Sequence, residues 1–471
     1  MRNMERDNAP LVKVLERGDT VPAPNNLGAT FNEFPSTPRL DLDTSLLATR
    51  GQMTPVWKYI PAGSTTETRI GTAGLFGTIN GQVVSVAGQL GVLPEYSYLS
   101  VPGAPAGTKF DQFPGSPSPN GKKVLVFKGN YAVAGVSQTG VFFRGDAATV
   151  RTSRVGLIAS SITRIPNQPA AGVVKFGSTA PPSAAYDDVV FTGFDNEAAP
   201  TLGGIYLAKI KSNPELRVLA GIGDAVPQEP AGATFTGFGE ALSFDGRFVA
   251  FWGAWGQTTR QVTLVCPDDG EKATVAYCKK NENNKVVNVP ANQGIFVMDT
   301  KTNQLRMVAK VGKDGFDAFL YWNFSGKPPC DPATGECKGD DADFEPPRWR
   351  STSFVAVCAG DDQGFRVAFK GTKALVPGGK APVQGIYLGA GPNPSLDSHP
   401  RVLDTESDGR AVDSKAPAGS VVSAVGIERD GFRVGRIALT ASMLAPDPAD
   451  PTKTLGWAGI YLTKVKMAAS R

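Results

Sequence analysis

Two long segments, 253–293 and 314–350, carry the side chains best suited to chemistry, because both combine aromatic residues, arginine and a pair of cysteines. Flat rings and guanidinium groups are suited to binding sugar rings or a peptide through stacking and hydrogen bonding. With aromatic residues nearby they form the predicted ligand-binding set: Trp57, Trp252, Trp255, Tyr321, Trp322, Arg348, Trp349 and Arg350. The alternative is that the tryptophans only anchor their own loops.

An acidic stretch, "KGDDADFE", lies within 314–350. On an extended segment alternating carboxylates share one side, and calcium is bound by several such oxygens. The prediction is therefore either a solvated acidic loop without a cofactor or a calcium ion held by Asp340, Asp341, Asp343 and Glu345. Asp314 and Asp317 are further candidates for that ion.

Catalysis without histidine is an alternative to simple binding. Two carboxylates can hydrolyse a glycoside, and tyrosine with arginine can abstract a proton next to the carboxylate of a uronic acid. The first catalytic candidates are Tyr321, Glu345, Arg348 and Arg350. The chain's one histidine, His399, lies among turn residues, and we expect no catalytic role for it. Neither a GxSxG motif nor a phosphate-binding P-loop is present.

The five cysteines indicate the compartment. We predict two loop disulfides, Cys266–Cys278 and Cys330–Cys337, and one buried thiol at Cys358 in the apolar run "SFVAVCAG". A zinc site is the alternative, but the pairs lack CxxC spacing. Disulfides indicate a secreted, periplasmic or cell-surface protein. The N-terminal "MRNMERDNAP" lacks the apolar core of a signal peptide, so either the protein is cytoplasmic or its leader lies outside this sequence, and the disulfides favour the second.

The charge and hydropathy of the sequence argue against nucleic acid as a partner and against a membrane-spanning segment. The formal charge of +4 is spread over 471 residues without a basic cluster, which argues against nucleic acid. No apolar run approaches the roughly 18 residues of a membrane span. The expected partners are a glycan, a peptide or another protein.

A four-part phrase recurs along the chain. Each unit begins with a strand that often carries an F-x-x-F pattern, as at Phe31-Phe34, and continues with an apolar strand such as "VAFWG". A strand with a Gly-hydrophobic-aromatic step comes third, and in most units a fourth strand follows it. Four short strands per unit are typical of propeller blades. The six steps are Gly74-Leu75-Phe76, Gly140-Val141-Phe142, Gly204-Ile205-Tyr206, Gly294-Ile295-Phe296, Gly385-Ile386-Tyr387 and Gly459-Ile460-Tyr461.

The repeat predicts one all-β domain, residues 1–471: a six-bladed β-propeller with four-stranded antiparallel blades. A β-sandwich or two barrels is the alternative. The last unit lacks its fourth strand and the chain starts with one, so the N-terminal strand, about 11–18, is predicted to complete blade 6 and close the ring. The predicted blades are about 30–88, 110–160, 173–222, 234–311, 351–405 and 420–465.

The phrases F-x-x-F, VAF-x-G, GIY and VL-x-x-GD-x-VP resemble the propeller repeats of secreted bacterial surface proteins. The turns "PSPNGKKVLVF" and "LSFDGRFVAF" more distantly resemble blades of TolB-type propellers. The resemblance covers nearly the whole chain and departs in blades 4 and 5, where the insertions 253–293 and 314–350 interrupt it. This resemblance implies a propeller fold, but the repeats include no catalytic motif that could be transferred to this chain.

The insertions are predicted to rise from one face of the propeller, 253–293 between the second and third strands of blade 4 and 314–350 between blades 4 and 5. Long loops are more often functional than accidental. We therefore expect an exported propeller that binds a glycan or peptide over blades 4 and 5. The alternatives are a polysaccharide-active lyase or glycoside hydrolase using the same face, and a structural module of a surface assembly.

Overall fold

The computed structural model describes residues 14–465 except 24, 26–27, 37, 42–45, 61–62, 64, 67, 80, 146–152, 167, 169–171, 269–271, 327–346, 361–363, 374–381, 392–398 and 434. Helix in the described residues is limited to α1 (Lys272–Asn281), α2 (Gly409–Val412) and two 3-10 helices, Gln89–Val92 and Pro94–Leu99. None of the described helices is both long enough and apolar enough to cross a membrane.

The rest is a six-bladed β-propeller of antiparallel sheets, which confirms the predicted fold class. In chain order a blade runs from its inner strand, next to the axis, to its outer strand. Blade 1 contains β1 (Phe31–Glu33), β2 (Arg39–Asp41), β3 (Leu46–Tyr59), β4 (Thr68–Ile79) and β5 (Gln82–Gly88); blade 2 contains β6 (Ser118–Pro119), β7 (Val124–Val133), β8 (Val136–Gly145) and β9 (Gly156–Ser160); blade 3 contains β10 (Ser178–Thr179), β11 (Ser183–Ala185), β12 (Asp188–Phe194), β13 (Gly203–Lys209) and β14 (Leu216–Gly221).

Blades 4 to 6 hold the larger elements. Blade 4 contains β15 (Phe235–Phe244), β16 (Phe248–Leu264), β17 (Lys285–Asp299) and β18 (Gln304–Lys310); blade 5 contains β19 (Phe316–Ala318), β22 (Val355–Ala359), β23 (Phe365–Lys373), β24 (Val383–Gly391) and β25 (Arg401–Asp404), with a separate hairpin of β20 (Tyr321–Ser325) and β21 (Arg348–Thr352); blade 6 contains β26 (Val421–Arg433), β27 (Arg436–Asp447) and β28 (Asp450–Lys464). We call the side that carries the connections between second and third strands the upper face.

The repeated residues form one steric unit in blades 1 to 5. The glycine that ends the repeated part of the second strand lies under a phenylalanine that is in the inner strand or precedes it, so closely that an added Cβ would lie 2.6–2.9 Å from the ring. The aromatic residue of the third strand meets the same phenylalanine edge-on, with ring centroids 4.8–5.2 Å apart. Only glycine leaves space for this packing. The trios are Phe31/Gly51/Phe76, Phe110/Gly129/Phe142, Phe176/Gly193/Tyr206, Phe235/Gly253/Phe296 and Phe316/Gly371/Tyr387.

The second insertion interrupts the inner strand of blade 5, which differs from the predicted position between blades 4 and 5. β19 pairs with the upper end of β23, at Thr372 and Lys373, and β22 pairs with the remainder of β23. The hairpin β20–β21 lies between these two pieces. Phe316 and Phe319 are therefore the F-x-x-F pair of blade 5, and this blade begins well before the predicted residue 351.

The N-terminal segment adopts the conformation of a connection between blades. Gly18 N donates to Phe31 O at 2.8 Å, as Gly223 N donates to Phe235 O at 2.9 Å between blades 3 and 4. Residues 14–19 contain no strand, and 11–13 lie outside the described residues. The described part of blade 6 has three strands, and Ile460 is 77 % exposed. Closure of the ring by residues 11–18 therefore stays a prediction.

A bulge of the innermost strand of blade 6, Glu428–Gly431, ties the blades together near the lower end of the axis. Arg429 Nη1 donates to Pro181 O in blade 3 at 3.0 Å, and Arg433 Nη1 donates to Val357 O in blade 5 at 3.1 Å. Arg39 in blade 1 pairs with Glu428 at 3.3 Å. Burial, followed by repulsion from Arg39, lowers the pKa of Arg429 to about 10. These contacts lie at the lower end of the axis, opposite the face that carries the insertions.

Candidate functional site

A small upper lobe stands on blades 4 and 5. The hairpin of β16 and β17 continues beyond its blade, with pairing from Thr259–Pro290 to Leu264–Lys285, and α1 lies at its tip. The disulfide Cys266–Cys278 joins the end of this arm to α1, as predicted. We define the upper lobe as residues 257–268, 272–290, 321–326 and 347–352.

The hairpin β20–β21 packs against this arm with one of its faces. Phe324 and Trp349 are cross-strand partners, and their ring centroids are 5.3 Å apart. Both rings contact the cluster around the disulfide, which includes Tyr277. Trp349 Nε1 also donates to Glu282 O at 3.3 Å. Trp349 therefore anchors the lobe, as the loop-anchor alternative predicts.

Trp252 and Trp255 must be removed from the ligand-binding set, because both side chains belong to the core. They are 6 % and 4 % exposed. Trp252 Nε1 donates to Gln293 Oε1 at 3.2 Å, and Trp255 packs edge-on against Phe296 at 5.9 Å. The long second strand of blade 4 turns them toward neighbouring strands, so neither reaches a ligand on the upper face.

Several predicted site residues lie outside the described part of the structure. The side chains of β3 at 53–59, which include Trp57, lie outside the described ones, as do all of Cys330, Cys337, Glu345 and the acidic stretch containing Asp340, Asp341 and Asp343. Calcium and the second disulfide stay predictions. In the described ranges no group of three His, Cys, Asp or Glu side chains is arranged to hold a metal ion. Cys358 is a buried free thiol, as predicted.

The other face of the hairpin carries polar and charged side chains. Strand alternation places Tyr321, Asn323, Arg348 and Arg350 on this face, opposite Phe324 and its partner. Arg348 and Asn323 are exposed, and Tyr321 and Arg350 are half-buried. Trp322, on the aromatic face, is also half-buried. The structure brings together in this hairpin five members of the predicted set, namely Tyr321, Trp322, Arg348, Trp349 and Arg350, and adds Asn323 to them.

Lys370 in β23 is the site residue that the sequence analysis missed. It is only 8 % exposed, and its Nζ lies 4.0 Å from the ring centroid of Tyr321 and 5.2 Å from that of Phe354. None of the described residues forms an ion pair or hydrogen bond with its ammonium, and burial is the only cause of its pKa shift. Burial disfavours the charged form and lowers the pKa of Lys370 to about 8. The available signal was a lysine inside the apolar phrase "VAFKG".

Tyr321 covers Lys370 from the hairpin. Thr372 Oγ1 donates to Tyr321 Oη at 3.2 Å, and the tyrosine ring contacts Phe354 with centroids 5.8 Å apart. Burial raises the pKa of Tyr321 above its ordinary value, so the phenol stays protonated at neutral pH. The pair thus combines a cation that titrates near neutrality with a hydroxyl that can donate.

A separate groove of about 280 Å³ lies between the outer parts of blades 4 and 5. His399 lines it, with Nε2 2.9 Å from Val308 O and Nδ1 3.3 Å from Asp314 Oδ2. Its ring packs edge-on against Phe316 and Phe369, each at 5.4 Å. His399 is therefore buried between rings and is not the plain turn residue that the sequence indicated.

Comparison with known proteins shows little. No protein-family model matches the chain, and no curated protein is similar to it. One similar solved structure is an oligogalacturonate lyase in complex with manganese, with 9 % identity, a TM-score of 0.32 and coverage of 87 % of this chain and 94 % of that one. Another is the α-L-arabinofuranosidase PaAbf62A from Podospora anserina in complex with cellotriose, with 9 % identity, a TM-score of 0.26 and coverage of 76 % and 92 %. Neither similarity is strong enough to transfer an activity.

Proposed function

We propose that this propeller binds a glycan on its upper face over blades 4 and 5, at the surface formed by the hairpin β20–β21 and Lys370. The observation that supports the proposal is the hairpin itself. One of its faces is fixed to the lobe, and the other presents Tyr321, Asn323, Arg348 and Arg350. Ring faces beside several hydrogen-bond donors are suited to sugar rings, which offer C–H surfaces and hydroxyls.

Covalent and hydrogen-bonded contacts hold the lobe in place, so a ligand would have to order few of its residues on binding. The disulfide Cys266–Cys278 fixes the arm to α1, and Thr274 Oγ1 donates to Gly326 O at 3.1 Å, which joins α1 to β20. Holding a binding surface in place before the ligand arrives reduces the conformational entropy that is lost on binding. A disulfide also persists in an oxidising compartment, which supports the proposal of a secreted, periplasmic or cell-surface protein.

A polysaccharide-active enzyme is the second candidate, and Lys370 is the observation that favours it. A lysine whose pKa is about 8 is partly neutral under mildly alkaline conditions and can accept a proton, while a protonated tyrosine beside it can donate one. Lys370 thus joins the predicted candidates Tyr321, Arg348 and Arg350. Glu345 lies outside the described residues.

Screening on a glycan array, followed by product analysis of every bound glycan, tests the proposal. Retention without cleavage supports binding, and chain shortening supports the enzyme. Asn323→Ala and Arg348→Ala should each weaken binding at least several-fold, because both side chains are exposed on the face opposite Phe324. Trp457→Ala is the matched control, since Trp457 is 37 % exposed on blade 6 and its Nε1 donates to Asp413 at 3.0 Å.

The proposal fails if no glycan is retained, or if the control weakens binding as much as Arg348→Ala. Retention of peptides alone would replace the glycan with a peptide ligand on the same face. An absence of response to both would favour the structural module.

A further inference from the structure

We propose that Lys370, covered by Tyr321, is a receptor for the negative group of an acidic saccharide. This inference rests on the proposed function and specifies its ligand. It requires that the ammonium lack a partner in the protein, that its surroundings be cationic, and that the ligand supply both an anion and a ring.

The first requirement concerns the partners of Lys370. The rings of Tyr321 and Phe354 attract the ammonium through their quadrupoles, and Nζ lies 4.0 Å and 5.2 Å from their centroids. Rings accept no conventional hydrogen bond, so the three N–H donors are not satisfied by described side chains. A buried charge is normally paired. A ligand anion would supply the missing counter-charge.

The second requirement concerns the neighbouring charges. The described residues of β20 and β21 include Arg348 and Arg350 and no acidic residue. Among the described residues, the acidic one nearest in sequence to β20 is Asp317, which pairs with Arg260 at 3.6 Å. Among its described residues, the hairpin that covers Lys370 therefore contributes only cationic charges.

The third requirement concerns the ligand. A neutral sugar would stack on aromatic rings and leave the ammonium unpaired, whereas an acidic sugar provides the same ring together with a carboxylate or sulfate. Both anions share the chemistry that Lys370 recognises. Saccharides that carry each of them can be compared directly.

Isothermal titration calorimetry on the full chain tests the inference with three probes: oligogalacturonate, a sulfated oligosaccharide and a neutral cello-oligosaccharide. We expect the wild type to bind at least one acidic probe ten-fold or more tightly than the neutral one, and Lys370→Met to remove that preference. Lys373→Met is the matched control and should retain it, because Lys373 packs against Phe316 and Tyr387 at about 5 Å.

The outcomes separate this inference from the proposed function. Binding of neutral and acidic probes with equal affinity, or full retention of the preference in Lys370→Met, overturns the inference and leaves glycan binding in place. A wild type that binds no saccharide overturns both. A wild type that binds only acidic peptides does so as well, since the site would then take another class of ligand.

Discussion

Replacing Lys370 by methionine should stabilise the fold. The pKa of this lysine falls from its ordinary value of 10.5 to about 8 on folding, because burial removes water from the ammonium. One pKa unit corresponds to about 1.4 kcal/mol, so the protonated form is disfavoured by roughly 3 kcal/mol in the folded state. The contacts with Tyr321 and Phe354 offset about 1–2 kcal/mol of this. Methionine has a side chain of similar length and no charge, so we expect a gain of about 1–2 kcal/mol at pH 7.

The sign of the pH dependence follows from the direction of the shift. A lowered folded-state pKa means that the contribution to stability is fully present above the unfolded pKa and is lost as the pH falls through the folded value, near 8. Wild type should therefore gain stability between about pH 8 and 10 relative to Lys370→Met. The advantage of the variant, largest at pH 7, should shrink over that interval.

Denaturant unfolding of both proteins at pH 7, 8, 9 and 10 measures this difference. At pH 7 the melting temperature should rise by only about 1–2 °C, because the unfolding entropy of a chain this long is large, so the denaturant midpoint is the better readout. A variant that is less stable than wild type at every pH would refute the reasoning. It would show that Lys370 has a stabilising partner and is not a group retained for a ligand at a cost in stability.

Three further predictions concern the fold. Gly253→Ala should destabilise the protein by about 1–3 kcal/mol through overpacking, because its Cβ would lie 2.9 Å from an inner-strand ring, whereas Gly237→Ala meets nothing within 4 Å; equal effects in urea unfolding would contradict the steric unit. Trp255→Ala should lower the free energy of unfolding by about 3–5 kcal/mol and the melting temperature by several degrees. An unchanged melting temperature would show that Trp255 is not a core residue. Leu15→Cys with Ile460→Cys should form a disulfide on oxidation, because the corresponding residues of blade 3, Ala220 and Ile205, are cross-strand partners. An uncrosslinked product would argue against closure of the ring.

The fold could be predicted because its repeat is a steric rule that single residues reveal. Gly253 must be glycine to fit under Phe235, and Phe296 must be aromatic to meet that ring, so the pattern is visible without knowledge of the rest of the chain. The disulfide Cys266–Cys278 was also predictable, because its cysteines are twelve residues apart in one insertion.

The site residues were predicted less well, because the burial of a side chain depends on where its strand ends and on how that strand pairs with its neighbours. Trp252 and Trp255 are next to a long connection in sequence, but β16 continues through them and packs them into the core. The position of the second insertion was missed because the pair Phe316 and Phe319 was read as part of a loop. Lys370 was missed because a lysine in a strand suggests a solvated side chain, and only the hairpin shows that Tyr321 covers it.

A crystal structure of the protein with a bound oligogalacturonate tests the central claim most directly. We expect an anionic oxygen of the saccharide within hydrogen-bond distance of Lys370 Nζ, with the sugar against the Tyr321 face of the hairpin. A saccharide bound elsewhere, for example in the groove beside His399, would contradict the assignment of the upper face as the binding site.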